Sequence, residues 1–199
     1  MPSYDGETVH RPMRQMGEQV ARMESLLKDL LWLSRFESVE SHRKTERVDF
    51  PAFLQELIAE LRTAFPNRTI DLVIESQGGV YGDAQELHSA VSNLVVNALK
   101  YSDEDEPVTV EWHSLDDNLA LSVRDRGVGI EASHIPRLTE RFYRVDRSRS
   151  QRTGGTGLGL AIVKHVAVSH QAELEISSEP GEGSCFTLRF PKLPPEADD

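Results

Sequence analysis

Apolar residues recur at helical spacing along four stretches of the chain. From residue 13 to residue 30 they alternate spacings of three and four, a heptad pattern that predicts a long bundle helix in need of partners. Three shorter stretches each carry an apolar face and predict helices: 51–64, 84–101 and 158–169. Asp83 and Glu86, at the start of the second of these, have the spacing of a capping box, in which each would bond the main chain of the other.

Five other stretches alternate apolar and polar residues with the period of two that is typical of half-buried strands. Their apolar positions are Ile70, Leu72 and Ile74; Val108, Val110 and Trp112; Leu119, Leu121 and Val123; Leu174 and Ile176; and Phe186, Leu188 and Phe190. The polar positions between them predict a sheet with one face toward the core and the other wet or lightly covered. The mixed order of strands and helices predicts an α/β (α+β) chain folded as a two-layer α/β sandwich, preceded by the one bundle helix.

Composition narrows the class of protein. A chain of 199 residues suits one main domain, and no apolar run is long enough to span a bilayer. The formal net charge of -11 argues against nucleic acid as a general partner, so any phosphate site must be local. Cys185 is the only cysteine, which excludes an intrachain disulfide and favours a reducing, cytoplasmic setting.

The predicted helix over 84–101 carries a polar stripe. Asn93, Asn97 and Lys100 fall on one side of it, because residues three and four apart share a helix face. The amide oxygen of Asn97 suits a Mg²⁺ that bridges phosphates, and Lys100 suits the phosphates themselves. The alternative is a solvated helix face without function, and this stripe alone does not decide between them.

A short glycine turn follows the predicted strand that ends near Asp125. Gly127 and Gly129 permit positive φ and close approach to a planar ligand, while the carboxylate of Asp125 can accept a hydrogen bond from an exocyclic amine such as that of adenine. An ordinary hairpin turn uses the same residue types. The spacing also matches a loose dinucleotide fingerprint, but no clear βαβ unit follows it.

A second glycine-rich turn opens the helix predicted from residue 158. Gly154, Gly155, Gly157 and Gly159 would leave main-chain N–H groups and a helix N-terminus facing an anion. The motif lacks the Gly-Lys-Ser/Thr of a Walker loop. Because apolar residues follow at once, phosphate binding is favoured over a flexible linker.

Arginines gather between the two glycine turns of this acidic protein. They are Arg137, Arg141, Arg144, Arg147, Arg149 and Arg152. A movable loop with these charges could close over a triphosphate, with Phe142 and Tyr143 as its apolar anchor. A solvated basic face or docking patch is the competing interpretation.

These motifs, taken in order, strongly resemble the N, G1, F and G2 boxes of sensor histidine kinases. The matching segments are Asn93-x-x-x-Asn97, Asp125-x-Gly127-x-Gly129, Glu140-Arg141-Phe142-Tyr143-Arg144 and Gly155-x-Gly157-x-Gly159-Leu160. The resemblance implies the Bergerat ATP-binding fold with a mobile lid between Gly129 and Gly155. ATP and Mg²⁺ would be its cofactors.

The resemblance also implies roles for individual residues. Asn97 would hold Mg²⁺ and Asp125 would read adenine. The implied catalytic residues are Asn93, Asn97 and Lys100. The implied nucleotide-binding residues are Asn97, Lys100, Tyr101, Asp125, Gly127, Gly129, Phe142, Tyr143, Arg144, Arg152, Gly155, Thr156, Gly157, Leu158, Gly159, Leu160 and Ser184.

Residues 134–146, 19–24 and 30–35 look most like phosphate-regulon sensor kinases of the PhoR type. That resemblance implies a full-length bacterial inner-membrane sensor of which this chain is a cytoplasmic piece. It further implies a PhoB-like response regulator as partner, a PhoU-like regulator, and a homodimer formed through bundle helices.

One family feature is missing from the sequence. No histidine has the context of the family's phosphoacceptor motif, which lies on the first helix of a two-helix hairpin, so the chain is expected to bind ATP without its own phosphorylation site. The expected organisation is a leader or cut edge (1–10), the second helix of a truncated dimerisation hairpin (11–36), a linker (37–47), a catalytic ATP-binding domain (48–191) and a disordered tail (192–199).

Two rival functions share parts of this pattern. Gyrase, heat-shock and mismatch-repair ATPases have the same fold, but they use a glutamate as general base one helical turn before the magnesium-binding Asn, where this chain has Asn93. A degenerate, non-catalytic docking module is the second rival, and the intact motifs argue against it.

Overall fold

A computed structural model describes residues 45–145 and 156–191, together with Gly17, Val20, Met23 and Leu27. These four residues are helical and exposed. The rest of the predicted bundle helix lies outside the described residues, as do most of the predicted linker and the predicted tail. Among the residues described, no helix combines the length and hydrophobicity that a membrane crossing requires.

The described elements follow one another in a mixed order. They are β1 (Glu46–Val48), α1 (Phe50–Ala64), β2 (Ile70–Ile74), β3 (Val80–Gly82), α2 (Ala84–Tyr101), β4 (Val108–Leu115), β5 (Asn118–Asp125), a 3₁₀ turn (Ile135–Arg137), α3 (Gly159–Ser169), β6 (Glu173–Glu179) and β7 (Gly183–Pro191). The three helices expected after residue 48 and all five expected strands are confirmed.

Strands β1 and β3 were not predicted. They form a separate antiparallel pair in which Val48 lies opposite Val80. Each is three residues long, too short to display the alternation that marks a strand in sequence. Because β1 begins at Glu46, the folded domain starts inside the stretch 37–47 that was expected to be a linker.

The main sheet has the strand order β2-β4-β5-β7-β6. Strand β2 runs parallel to β4, and the remaining neighbours are antiparallel. One face supplies buried apolar side chains from every second residue, and these form a single core with α1, α2 and α3. The predicted two-layer α/β sandwich is therefore confirmed.

An aromatic cluster anchors α1 to the sheet. The ring of Phe50 lies 4.3 Å from that of Trp112 and 5.5 Å from that of Phe190, measured between centroids. The buried indole of Trp112 donates its hydrogen bond to the carbonyl of Gly78 at 3.1 Å. This packing places the first residue of α1 in the centre of the core.

Aspartates start both α1 and α2. The carboxylate of Asp49 accepts from the main chain at 3.2 Å, and that of Asp83 accepts from two N–H groups at 2.8 and 3.2 Å. The capping box expected at Asp83 is only half formed, which corrects the prediction. Instead of bonding Glu86, the N–H of Asp83 donates to His170, and Glu86 accepts from Ser169.

Candidate functional site

Helices α2 and α3 lie side by side and run in opposite directions. At one end the N–H of Asp83, before α2, donates to Nε2 of His170, after α3, at 3.1 Å. At the other end a Cβ added to Gly159 would lie 2.5 Å from Oδ1 of Asn93. Asn93 donates from Nδ2 to the carbonyl of Ser89 at 2.8 Å. The start of α3 therefore meets the polar stripe of α2 at Asn93, and a Cβ at Gly159 would require the Asn93 amide to move.

Asp125 ends β5 as a buried carboxylate, with 4% of its surface exposed. Burial raises its pKa, an effect that main-chain N–H groups of Gly127 and Ser184 partly oppose. The Gly127 N–H donates to Oδ1 at 2.8 Å. A Cβ at Gly127 would overlap the carbonyl oxygen of Tyr101, so this turn lies directly against the end of α2.

The loop after Asp125 is held by the turn between β6 and β7. Gly129 has a φ of +66°, and a Cβ there would overlap the carbonyl of Glu179. The N–H of Ile130 donates to Oγ of Ser178 at 2.8 Å, and that oxygen lies 2.9 Å from Oγ of Ser184. Ser184, a predicted pocket residue, thus touches Asp125 through its main chain while its hydroxyl bonds Ser178.

The F motif and the second glycine motif are joined through their main chains. The N–H of Phe142 donates to the carbonyl of Gly157 at 2.9 Å. Gly157 has a φ of +76°, and a Cβ there would lie 2.9 Å from Cα of Phe142. Phe142 itself has a φ of +64° and is 58% exposed. Its ring is therefore available at the surface beside the glycine turn.

A cationic group without a complete set of partners lies beside the end of α2. Burial raises the pKa of Tyr101, and the nearby positive charge of Arg144 opposes that rise. Nη2 of Arg144 is buried and has no hydrogen-bond partner. The ammonium of Lys100 lies 5.4 Å from the centre of the Tyr101 ring. A buried guanidinium nitrogen in this state fits an anionic ligand.

Tyr143 is held by His134 and by Arg137, one of the clustered arginines. Its hydroxyl lies 2.6 Å from Nδ1 of His134, and the guanidinium of Arg137 lies 4.3 Å from its ring centre. Arg137 also pairs with Glu140 at 3.2 Å, and that pairing raises the arginine's pKa. These contacts hold the base of the F motif. Spacing along the chain offered no signal for the bond between His134 and Tyr143.

The start of α3 differs from those of α1 and α2 because no side chain caps it. Oγ1 of Thr156 accepts from the N–H of Leu158 at 3.2 Å, one residue before the helix. Leu158 is fully buried in the core, whereas Leu160 is partly buried against it. The first N–H groups of α3 are therefore not used by a cap, which suits an anion.

The structure brings together most of the predicted site residues. Asn93, Tyr101, Asp125, Gly127, Phe142, Gly157 and Gly159 are connected by the contacts above. Asn97 lies one helical turn after Asn93 and is half-buried. The predicted residues Arg152, Gly154 and Gly155 lie outside the described residues.

The donors and acceptors of this site fit a magnesium-bound adenosine triphosphate. The buried carboxylate can accept a hydrogen bond from an amine such as that of adenine, and the uncapped helix and Arg144 can donate to phosphate. In residues 45–145 and 156–191, His, Cys, Asp and Glu side chains form no group that could hold a metal ion. Magnesium commonly binds through one or two protein oxygens together with nucleotide phosphates and water.

Residues 82–194 match the family described as histidine kinase-, DNA gyrase B-, and HSP90-like ATPases. The chain belongs to this family. It is 46% identical over 182 residues to the phosphate regulon sensor protein PhoR of Pseudomonas aeruginosa, covering 90% of this chain and 41% of that protein. It is 38% identical over 192 residues to the sensor-like histidine kinase SenX3 of Mycolicibacterium smegmatis, covering 96% of this chain and 50% of that protein.

Solved structures give the same assignment. The mycobacterial sensor histidine kinase MprB matches with a TM-score of 0.65 and 28% identity, over 75% of this chain and 99% of that one. ShkA, solved in complex with AMPPNP, matches with a TM-score of 0.74 and 24% identity, over 99% of this chain and 41% of that one, and supports the fold alone. The chain carries the ATPase domain of a PhoR-like bacterial sensor histidine kinase, and it spans about half or less of the curated relatives above.

Proposed function

We propose that this chain binds Mg²⁺-ATP and transfers the γ-phosphate to a histidine on a separate helical hairpin. The observation that carries the proposal is the close approach of Gly159 to the Asn93 amide, which a Cβ at Gly159 would displace. It brings the amide stripe of α2 to an uncapped helix start. Phosphoryl transfer depends on positioning and on neutralising charge, and this junction offers both.

Each polar group has a distinct task in this proposal. Asp125 accepts from the adenine amine, and the amide oxygen of Asn97 holds Mg²⁺. Lys100 and Arg144 contact phosphate oxygens, as do the first N–H groups of α3. Arg152 and the rest of the arginine-rich segment close over the triphosphate as a lid.

Transfer is favoured over hydrolysis because no general base stands at Asn93. An amide cannot accept the proton of an attacking water, whereas an imidazole acceptor needs no such base. The Nδ2 group of Asn93 already donates to the carbonyl of Ser89. Asn93 therefore orients the junction of α2 and α3 in this mechanism.

The biological setting is proposed from the relatives. The similarity to PhoR of Pseudomonas aeruginosa favours signalling of phosphate starvation through a PhoB-like response regulator, with a PhoU-like protein as a further regulator. Residues 11–36 would supply the second helix of a hairpin through which the complete receptor dimerises. The complete receptor would lie in the bacterial inner membrane, with residues 48–191 as its cytoplasmic catalytic domain.

Thermal unfolding with Mg²⁺-ATP tests the binding step. At a nucleotide concentration 100 times Kd, binding stabilises the folded chain by about 2.7 kcal/mol, so the Tm rises. Asn97→Ala should remove most of that rise. Asn118→Ala is a matched control, because Asn118 starts β5 at the strand end opposite Asp125; it should keep the full response.

The transfer step needs an added hairpin that carries an acceptor histidine. Incubation with γ-labelled ATP should label the hairpin and leave this chain unlabelled. Steady release of phosphate without labelling would favour the hydrolase rival. Binding with neither labelling nor release would favour a non-catalytic docking module.

A further inference from the structure

Arg68 links the loop after α1 to the far end of α2. Its Nη1 donates to the carbonyl of Leu99, and its Nη2 donates to Oγ of Ser102 at 2.7 Å and to the carbonyl of Asp103 at 3.0 Å. These partners lie more than thirty residues further along the chain. One guanidinium therefore spans the last turn of α2 and the first residues after it.

The end of α2 has no glycine to close it. Ser102, the C-cap, is extended with a φ of −92° and a ψ of 157°, and its hydroxyl donates to the carbonyl of Ala98 at 2.7 Å. The remaining carbonyls at a helix C-terminus need donors and carry a partial negative charge. Arg68 meets both needs, since its planar group offers several donors and a fixed positive charge.

This helix end also forms a wall of the candidate site. Lys100 and Tyr101 are the last two residues of α2, and Asn97 lies one turn before them. The Tyr101 carbonyl lies so close to Gly127 that a Cβ there would overlap it. A small displacement of this turn would therefore change the distance between α2 and the Asp125 turn.

We propose that Arg68 is a positioning residue for nucleotide binding, which sets the last turn of α2 against the Asp125 turn without touching the nucleotide. The inference rests on the proposed binding of Mg²⁺-ATP. Nε of Arg68 is buried without a hydrogen-bond partner. That unfavourable state is tolerated because both terminal nitrogens are directed at α2 and the residues after it.

Arg62 provides a matched control within the same region. Its Nε and Nη2 both donate to the carbonyl of Ile70, at 3.1 and 2.6 Å. It ties α1 to β2, and neither of these bonds reaches α2. Loss of either arginine should lower the Tm, but only loss of Arg68 should weaken nucleotide binding.

The experiment compares Arg68→Gln with Arg62→Gln in the full chain, using calorimetric Kd values for Mg²⁺-ATP alongside Tm. We expect Arg68→Gln to weaken binding by about tenfold, as is common for residues that hold a binding group in place. Arg62→Gln should leave Kd unchanged. Equal Kd values for the parent and Arg68→Gln would overturn the inference while leaving nucleotide binding intact; a parent chain that binds no ATP would overturn both.

Two further variants keep the test decisive if Arg68→Gln does not fold. Arg68→Lys keeps the charge but not the planar fork, so it should recover Tm more fully than Kd. Ser102→Ala removes one of the three acceptors and should weaken binding by a smaller factor, about threefold. In the double variant Arg68→Lys/Ser102→Ala the two losses should be less than additive. Parent-like Kd values in both single variants would overturn the inference.

Discussion

The two ends of the α2–α3 pair differ in whether their buried polar groups have hydrogen-bond partners within the protein. At the end away from the nucleotide site, Nε2 of His170 accepts from Asp83, so its Nδ1 carries a proton and donates to the carbonyl of Val166 at 2.9 Å. Ser169 donates to Glu86 at 2.9 Å. We call Asp83, Glu86, Ser169 and His170 the polar lock. Its groups find their partners within the protein.

At the nucleotide end the pairing is incomplete. Arg144 has a buried nitrogen without a partner, and no side chain caps the start of α3. Burial alone therefore does not indicate what a polar group does. Here the internally satisfied cluster joins α2 to α3, whereas the incompletely paired donors lie where the proposal places phosphate.

Asp125→Asn should have the largest effect, because it should weaken nucleotide binding and at the same time raise thermal stability. Replacing the charged acceptor should weaken Mg²⁺-ATP binding by about 100-fold, because a charge-assisted hydrogen bond is lost. The same change should raise the Tm of the nucleotide-free chain at pH 7, since it removes a charge that burial disfavours. Calorimetry and thermal unfolding measure the two effects.

The pH dependence of that gain follows from the raised pKa. Folded Asp125 holds its proton more tightly than the unfolded chain does, so its favourable contribution is complete below the ordinary pKa of 3.8 and is lost as pH rises through the folded pKa. The Tm advantage of Asp125→Asn should therefore shrink as pH falls toward that value. An advantage that grows on acidification would contradict the assignment.

His170→Ala tests the polar lock. Removing the ring leaves the Asp83 N–H without an acceptor and opens a space beside buried Glu86, which should lower the free energy of unfolding by about 3 kcal/mol. Denaturant unfolding measures the loss. The Kd for Mg²⁺-ATP, measured well below the Tm, should stay close to that of the parent. A large increase in Kd would mean that the two ends are coupled.

Arg144→Ala should do the reverse of His170→Ala: it should weaken nucleotide binding and leave the free energy of unfolding almost unchanged. Loss of a charged donor to phosphate should weaken Mg²⁺-ATP binding by about tenfold, or roughly 1.4 kcal/mol. Unfolding without nucleotide should change little, because the buried nitrogen has no partner to lose. Adenosine, which lacks phosphates, should bind parent and variant equally. An equal loss of affinity for adenosine would mean that Arg144 acts on the adenosine part of the nucleotide and not on its phosphates.

Val168→Ser should have the smallest effect of these substitutions on stability and on nucleotide binding. Val168 lies on α3 near the polar lock but is 66% exposed. The substitution should change the free energy of unfolding by less than about 0.5 kcal/mol and leave Kd unchanged. A larger loss of stability would show that this side chain is covered by another part of the protein.

Periodicity predicted the elements that bury one regular face. Residues 84–101 and 108–112 are examples, since their apolar spacing follows directly from the geometry of the element. β1 and β3 are too short to carry such a pattern. The Glu86 half of the predicted capping box does not form. Glu86 instead accepts a hydrogen bond from Ser169, which lies 83 residues further along the chain. A local motif cannot reveal a partner that only the packing of α2 against α3 supplies.

The residues of the candidate site also fall into two groups: those that belong to a local sequence motif and those that only tertiary contacts reveal. Asp125, Asn93 and the glycines lie in recognisable local motifs, so their spacing predicted a nucleotide site. Arg68 lies in no such motif, and His134 opens the segment 134–146 but was given no role there. Their importance follows from contacts with Ser102 and Tyr143, which depend on how the loops are placed. The roles of all these residues in nucleotide binding stay predictions, as do those of Asn97, Lys100 and Arg152.

The hydrogen bond between Phe142 and Gly157 joins the two ends of the segment between them. A Cβ at Gly157 would lie 2.9 Å from Cα of Phe142, so a larger residue at Gly157 would force these two ends apart. Gly157 therefore controls how closely the F motif approaches the start of α3.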